Sequence, residues 1–167
     1  ESALPAETEV IVVEDVLRLS RTLIDCYLAP EARRAALDRV AVVCDELVRS
    51  APPGGSIQLA AARTLVSATS DTERLAGWLA GTGVPEGLAI DADFRWALVQ
   101  RLAVLGAIGE AEIDAELAAD SSATGVENAA RCRAALPLPA AKERAWRVII
   151  EDTSLSNRLV EANASGF

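Results

Sequence analysis

Five carboxylates crowd into "GEAEIDAELAAD", residues 109–120: Glu110, Glu112, Asp114, Glu116 and Asp120. Acids at this density can do two kinds of chemistry. A pair can serve as general acid and base, or several can converge on a cation. Both need the carboxylates to meet at one point. At about 100° per residue on a helix, Glu110 and Asp114 fall on one side. Glu112 and Glu116 fall nearly opposite, and Asp120 joins them. Ile113 and Leu117 hold an apolar stripe between the two groups. The earliest acids also lie near the helix N-terminus, where the backbone dipole favours negative charge. The spacing predicts a solvated helix face, not a site.

Other candidates weaken in the same way. "FRWALVQRL", 94–102, sets Arg95 and Arg101 beside Trp96, a combination common at binding hot spots. The expectation is a helix that buries Phe94 and Trp96 and leaves its arginines wet. Trp146 in "KERAWRVIIED", 142–152, is read the same way. "GTG" at 81–83 lacks the helix start and the lysine of a phosphate loop. Cys26, Cys44 and Cys132 are widely spaced with no C-x-x-C pair, and each sits among apolar residues. They are expected to be small buried hydrophobes in a reducing compartment. The chain has no histidine, which removes Ser–His and Cys–His nucleophile pairs and every His-containing zinc site from it.

These residues need elements to hold them, and the composition says which kind. The chain has 167 residues, 51% apolar and 25% charged, with a mean hydropathy of +0.22. That is too apolar for a disordered segment and long enough for one domain with a core. Ala and Leu, both strong helix formers, dominate the apolar fraction. The net charge of −9, with no basic stripe, argues against nucleic acid as a partner. Charges interrupt every apolar run well short of the roughly 20 residues of a membrane span. A cytoplasmic setting is expected. The chain contains no Met and starts at Glu1, so it is expected to be a piece of a longer polypeptide.

Along the chain, Val12, Val16, Leu19, Leu23 and Tyr27 form a helical stripe, broadened by Val13, Leu17, Ile24 and Leu28. Pro30 suits the first turn of a second helix carrying Leu37, Val40, Cys44 and Leu47, which "APPGG" at 51–55 stops. Ile57, Ala61, Leu65 and Ala68 mark a third helix. Ser70 and Glu73 form a capping-box pair for a short fourth, running through Trp78. After the breaker "GTGVPEG", Asp91 or Asp93 caps a fifth helix with Phe94, Leu98, Leu102 and Leu105 on one face. Gly106 and Gly109 separate it from the acidic helix, and three more helices are expected near 122–136, 139–152 and 155–165. Eight or nine helices with short loops make an all-α fold of stacked antiparallel pairs, a HEAT-like α-solenoid or superhelix.

From Phe94 onward the sequence resembles a known family. "FRWALVQRLAVLGAIGEAEIDAELAAD", "SATG", "AARCRAALPLPAAKERAW" and "LSNRLVEANASGF" are similar to the C-terminal helical domain of the aminopeptidase N family of zinc metallopeptidases, its bacterial members most. "LPAETEVIVVEDVL" and "GTGVPEGLAIDADFRW" extend the likeness over nearly the whole chain. One departure is Ser122, where the family more often has threonine; serine caps a helix equally well.

The resemblance implies a single helical domain over 1–167, a C-terminal fragment of a larger peptidase whose catalytic domain is absent from it. In such enzymes an H-E-x-x-H helix with a downstream Glu holds zinc, and a Gly-Ala-Met-Glu-Asn type motif binds the free amine. With no His and no Met here, no catalytic or metal-binding residue carries over, and the residues that would touch substrate stay unassigned. The implied partners are the catalytic domain of the same polypeptide and the parent's peptide substrates. The implied role is to wall the chamber over the zinc site and restrict which peptides enter. Arg95, Arg101, Arg131 and Arg133 would attract a peptide's C-terminal carboxylate if they faced that chamber. If "ASGF" at the end falls inside a longer domain, an apolar face is expected to stand uncovered there. The rival reading is a free-standing HEAT-like scaffold that binds a partner protein, which the same periodicity would produce.

Overall fold

The computed structural model describes residues 3–152 and 154–167. Glu1, on which the expectation about the chain's start rests, lies outside the described residues. Those residues form nine α-helices, a 3₁₀ turn at Leu4–Ala6, and no strand. The fold is all-α, as the composition and periodicity require. Its helices are α1 (Val10–Tyr27), α2 (Pro30–Ser50), α3 (Ser56–Ala68), α4 (Thr72–Leu79), α5 (Ala92–Val104), α6 (Glu110–Ala119), α7 (Ala123–Ala135), α8 (Pro139–Glu151) and α9 (Asn157–Gly166). The chain divides into two compact units, Glu1–Asp71 with Gly81–Ile90, and Thr72–Ala80 with Asp91–Phe167.

In the first unit α1, α2 and α3 pack on one another. Only Leu28 and Ala29 separate α1 from α2, so the chain turns back at once, and Pro30 presets the first helical φ. The core joins Val13, Leu17 and Ile24 of α1 to Cys44, Leu47 and Val48 of α2 and Ala61, Ala62, Leu65 and Val66 of α3. Ala61 and Ala62 let the helix backbones approach closely, while each buried leucine contributes about 2 kcal/mol of desolvation. The C-terminal carbonyls of α3 are gripped by two arginines from its neighbours. Arg21 of α1 donates to Ser67 O at 3.0 Å, and Arg34 of α2 donates to Ala68 O at 3.0 Å. Cations there oppose the negative end of the helix dipole.

A buried glutamine organises the loops of this unit. Gln58 accepts from the Gly54 N–H at 2.8 Å and donates to Val48 O at 3.3 Å and Glu86 O at 3.0 Å. It thereby ties the α2–α3 turn to the Gly81–Ile90 loop. Gly87, at φ 78°, lies so close that an added Cβ would stand 2.4 Å from Gly54 N. Only glycine fits both that φ and that approach.

In the second unit α5 packs on α4 and α7, and α7 also meets α6, α8 and α9. Trp96, Val99 and Ala103 of α5 meet Ile113, Ala129, Cys132, Leu136 and Ala141 in one cluster. Trp78 of α4 leans on Phe94 with ring centroids 6.2 Å apart. Asp91 is the N-cap of α5, accepting from Phe94 N–H at 2.8 Å, and Ser122 caps α7 by accepting from Gly125 N–H at 3.0 Å. Lys142 of α8 reaches back to the last carbonyls of its neighbours, donating to Ala134 O at 2.7 Å and Phe167 O at 2.8 Å.

Four expectations need correction. The row Val12, Val16, Leu19, Leu23 and Tyr27 faces water, and the row beside it, Val13, Leu17 and Ile24, is buried. The rows lie about 100° apart, both are apolar, and periodicity alone does not say which one meets α2 and α3. Helix α4 begins at Thr72, so Asp71, not Ser70, directly precedes it. Cys44 and Cys132 are buried, but Cys26 is an exposed thiol. Trp146 is 55% exposed, resting on Phe167 at a centroid distance of 6.0 Å. It stands with exposed Ile150 at the C-terminal end of the unit.

Candidate functional site

The acidic helix α6 spends its carboxylates on its neighbours, in the two directions its periodicity predicts. On one side Asp114 accepts from Arg133 of α7 at 2.5 Å, and Glu110 pairs with Arg144 of α8. On the other side Glu116 faces Arg95 of α5, and Asp120 accepts from the Trp96 indole N–H at 2.8 Å. Glu112 turns back along its own helix to accept from Gly109 N–H at 2.8 Å, half of a capping box in which glycine has no side chain to reciprocate. The five acids do not converge. Among the described residues, no group of three or more His, Cys, Asp or Glu is placed to hold a metal ion.

The prediction of a solvated face fails at one position. Glu116 is 8% exposed, and both its oxygens accept from Arg95, Oε1 from Nε and Oε2 from Nη2, at 2.7 Å each. Nη1 of the same arginine donates to Leu79 O at 3.0 Å, the last residue of α4. The Glu116 carboxylate holds the Arg95 guanidinium even further above its usual range, against a smaller opposing effect of burial. Arg95 is therefore not a wet cation but the fork that joins α4, α5 and α6. At Asp120, hydrogen bonds from Ser122 foremost, then from Trp96, hold the carboxyl below its ordinary value. At Glu112 the Gly109 N–H does the same. The Asp120 and Glu112 carboxyls are thereby favoured in the ionised form and used as acceptors, as in a structural joint.

The four arginines singled out in the sequence fare differently. Arg95 and Arg133 have carboxylate partners, Glu116 and Asp114. Among the described residues Arg131 donates to neutral groups, Asn128 Oδ1 at 2.8 Å and Ser165 Oγ at 3.1 Å, with no carboxylate partner. Arg101 also has a partner. Phe94 and Trp96 are buried as expected. The thiols of Cys44 and Cys132 are pushed up by burial to about 12 and are not nucleophiles at neutral pH. What the pattern missed is the polar joinery of Gln58, Arg21, Arg34 and Lys142. Single polar residues have no periodicity to betray them.

Among the described residues the acids of α6 are thus taken up by separate partners. Comparison with known proteins decides to which family this one belongs. The sequence pattern of the ERAP1-like C-terminal domain family matches residues 1–167. The chain belongs to that family. A member-like protein, the aminopeptidase N of Streptomyces lividans, is 40% identical over 169 residues. The match takes in 99% of this chain and 20% of that protein, so the chain spans about one fifth of its relative's length. The likeness that the sequence carries between 94 and 167 is thus a likeness along the whole ERAP1-like C-terminal domain stretch. No described helix is long and apolar enough to cross a membrane.

Proposed function

We propose that this chain is a non-catalytic helical part of a zinc aminopeptidase, packed against the catalytic domain of the same polypeptide. The observation that carries the reading is the family match over residues 1–167, together with 40% identity to an aminopeptidase N. In this reading the helices wall a chamber over the active site and admit flexible peptides while excluding folded proteins. A stacked-helix body suits such a wall, because it extends by adding pairs and presents a continuous surface. The zinc and the general-base glutamate belong to the catalytic domain. A cytoplasmic setting is part of the proposal, and three cysteines without a disulfide support it.

The complete enzyme tests the access role. Replacing this stretch by a short flexible linker should leave hydrolysis of a single-residue alanyl substrate intact and let long or partly folded peptides compete. A complete enzyme whose length preference survives that replacement unchanged would reject the chamber-wall role.

A further inference from the structure

The chain leaves the first unit twice. It departs after Asp71 to build α4, returns as the segment Gly81–Ile90, and departs again at Asp91 to build the other helices. Both ends of that returning segment therefore run into helices of the second unit, α4 before it and α5 after it.

Those two helices hold its feet together. Arg95 of α5 donates to Leu79 O at 3.0 Å, two residues before Gly81, and Trp78 of α4 leans on Phe94 of α5. Asp91, directly after Ile90, caps α5 by accepting from Phe94 N–H. A loop whose ends are already pinned loses less entropy when its middle is ordered.

The middle is ordered on the first unit. Leu88 N–H donates to Pro85 O at 3.1 Å, closing a turn whose third residue, Gly87, has φ 78°. The turn sets Gly87 against Gly54 and presents Glu86 O to the Gln58 amide. Gln58 is buried, and the same amide donates to Val48 O of α2. Leu88 is buried as well. One segment thus has its apex seated in the first unit and its feet fixed in the second.

We propose that Gly81–Ile90 is a strap: its apex, seated on Gln58, holds the α2–α3 end of the first unit closed, and that seat depends on Arg95 and Asp91 pinning its feet in the second. Loosening a foot opens the first unit through the chain itself. Each unit carries its own reporter of opening. Cys44, buried one helical turn before Val48, belongs to the first, and Cys132, also buried, belongs to the second.

The test uses the complete native polypeptide in a Cys26→Ser background. Alkylation of Cys44 and Cys132 without denaturant is followed by mass spectrometry of the peptides that carry them. Gln58→Leu and, separately, Gly87→Ala unseat the apex and should quicken Cys44 labelling roughly tenfold. Arg95→Lys and, separately, Asp91→Ala loosen one foot each and should quicken Cys44 severalfold. Neither foot variant should add to the effect of Gln58→Leu, because a strap already unseated transmits nothing. Cys132 should stay the slower thiol throughout.

Apex variants that leave Cys44 as slow as before would overturn the seat. A foot variant without effect on Cys44 would remove that residue from the strap, and two such variants would overturn the coupling. The same acceleration with and without Gln58 would also overturn it. Equal acceleration of both thiols would report unfolding of the whole chain and overturn the strap.

Discussion

Arg95 of α5 lays two guanidinium nitrogens on the two oxygens of Glu116 of α6, each at 2.7 Å, and its third nitrogen on the last residue of α4. One side chain thus fixes three helices. Glu116 is buried while the Arg95 side chain is 37% exposed, so the two members of the pair are not equivalent. Arg95→Ala should cost about 2 kcal/mol, because it strands a buried carboxylate, the arginine's exposure keeping the loss below that of a sealed pair. The double substitution Arg95→Met with Glu116→Leu should recover most of it. Urea unfolding of both variants measures this; a double variant as weak as the single would contradict it.

The thiols separate by burial. At neutral pH a maleimide should modify Cys26 alone, with Cys44 and Cys132 reacting only on unfolding. The same two thiols give the fold an alkaline limit. Each has a folded value near 12 against an ordinary 9.0. Above pH 9.0 the unfolded thiols ionise while the folded ones stay protonated, so unfolding releases protons and stability falls as pH rises towards 12. Cys44→Ala with Cys132→Ala should flatten that slope in denaturant titrations from pH 8 upward. A slope unchanged by the pair of substitutions would assign the alkaline limit elsewhere.

Gly125 is required for space rather than for backbone freedom. A Cβ there would stand 2.0 Å from the Asp120 carbonyl oxygen. Gly125→Ala should therefore cost about 3 kcal/mol, by forcing the α6–α7 turn apart. Ser122→Ala, which removes only the cap bond to Gly125 N–H, should cost about 1 kcal/mol. Urea midpoints for the two variants give the comparison, and a Gly125→Ala variant as stable as Ser122→Ala would refute the steric account.

Among the described residues Arg131 has no carboxylate partner, unlike Arg95 and Arg133. Within the chamber-wall proposal, Arg131→Gln in the complete enzyme should raise KM about fivefold for peptides long enough to reach it, from a loss of about 1 kcal/mol of attraction to the terminal carboxylate. Single-residue amide substrates should be unaffected. Equal changes for short and long substrates, or none for either, would remove Arg131 from the peptide's path.

Much of this fold was legible, and the failures have a common cause. Pro30, Asp91, Ser122 and Pro139 each start a helix where their local chemistry says they should. The breaker "APPGG" ends α2 on cue. Local chemistry is written in neighbouring residues, so a single sequence carries it. Burial is not: it depends on which of two apolar rows of α1 meets α2 and α3, and on whether Trp146 finds a cover. The acidic stretch divides along the same line. That its carboxylates point two ways follows from helix geometry, but that Glu116 is buried depends on Arg95, twenty-one residues away. Family membership was legible for a third reason, since the stretches from Phe94 to Phe167 carry it residue by residue.

The central claim is that this chain is one domain's worth of helices within a larger aminopeptidase. Antibodies raised against it, used on extract of the source cells, test that directly. The account predicts one band far larger than 17.5 kDa, whose immunoprecipitate cleaves alanyl substrates and is silenced by a metal chelator. A band at the chain's own size, with no peptidase activity in the precipitate, would contradict it and put the free-standing scaffold in its place.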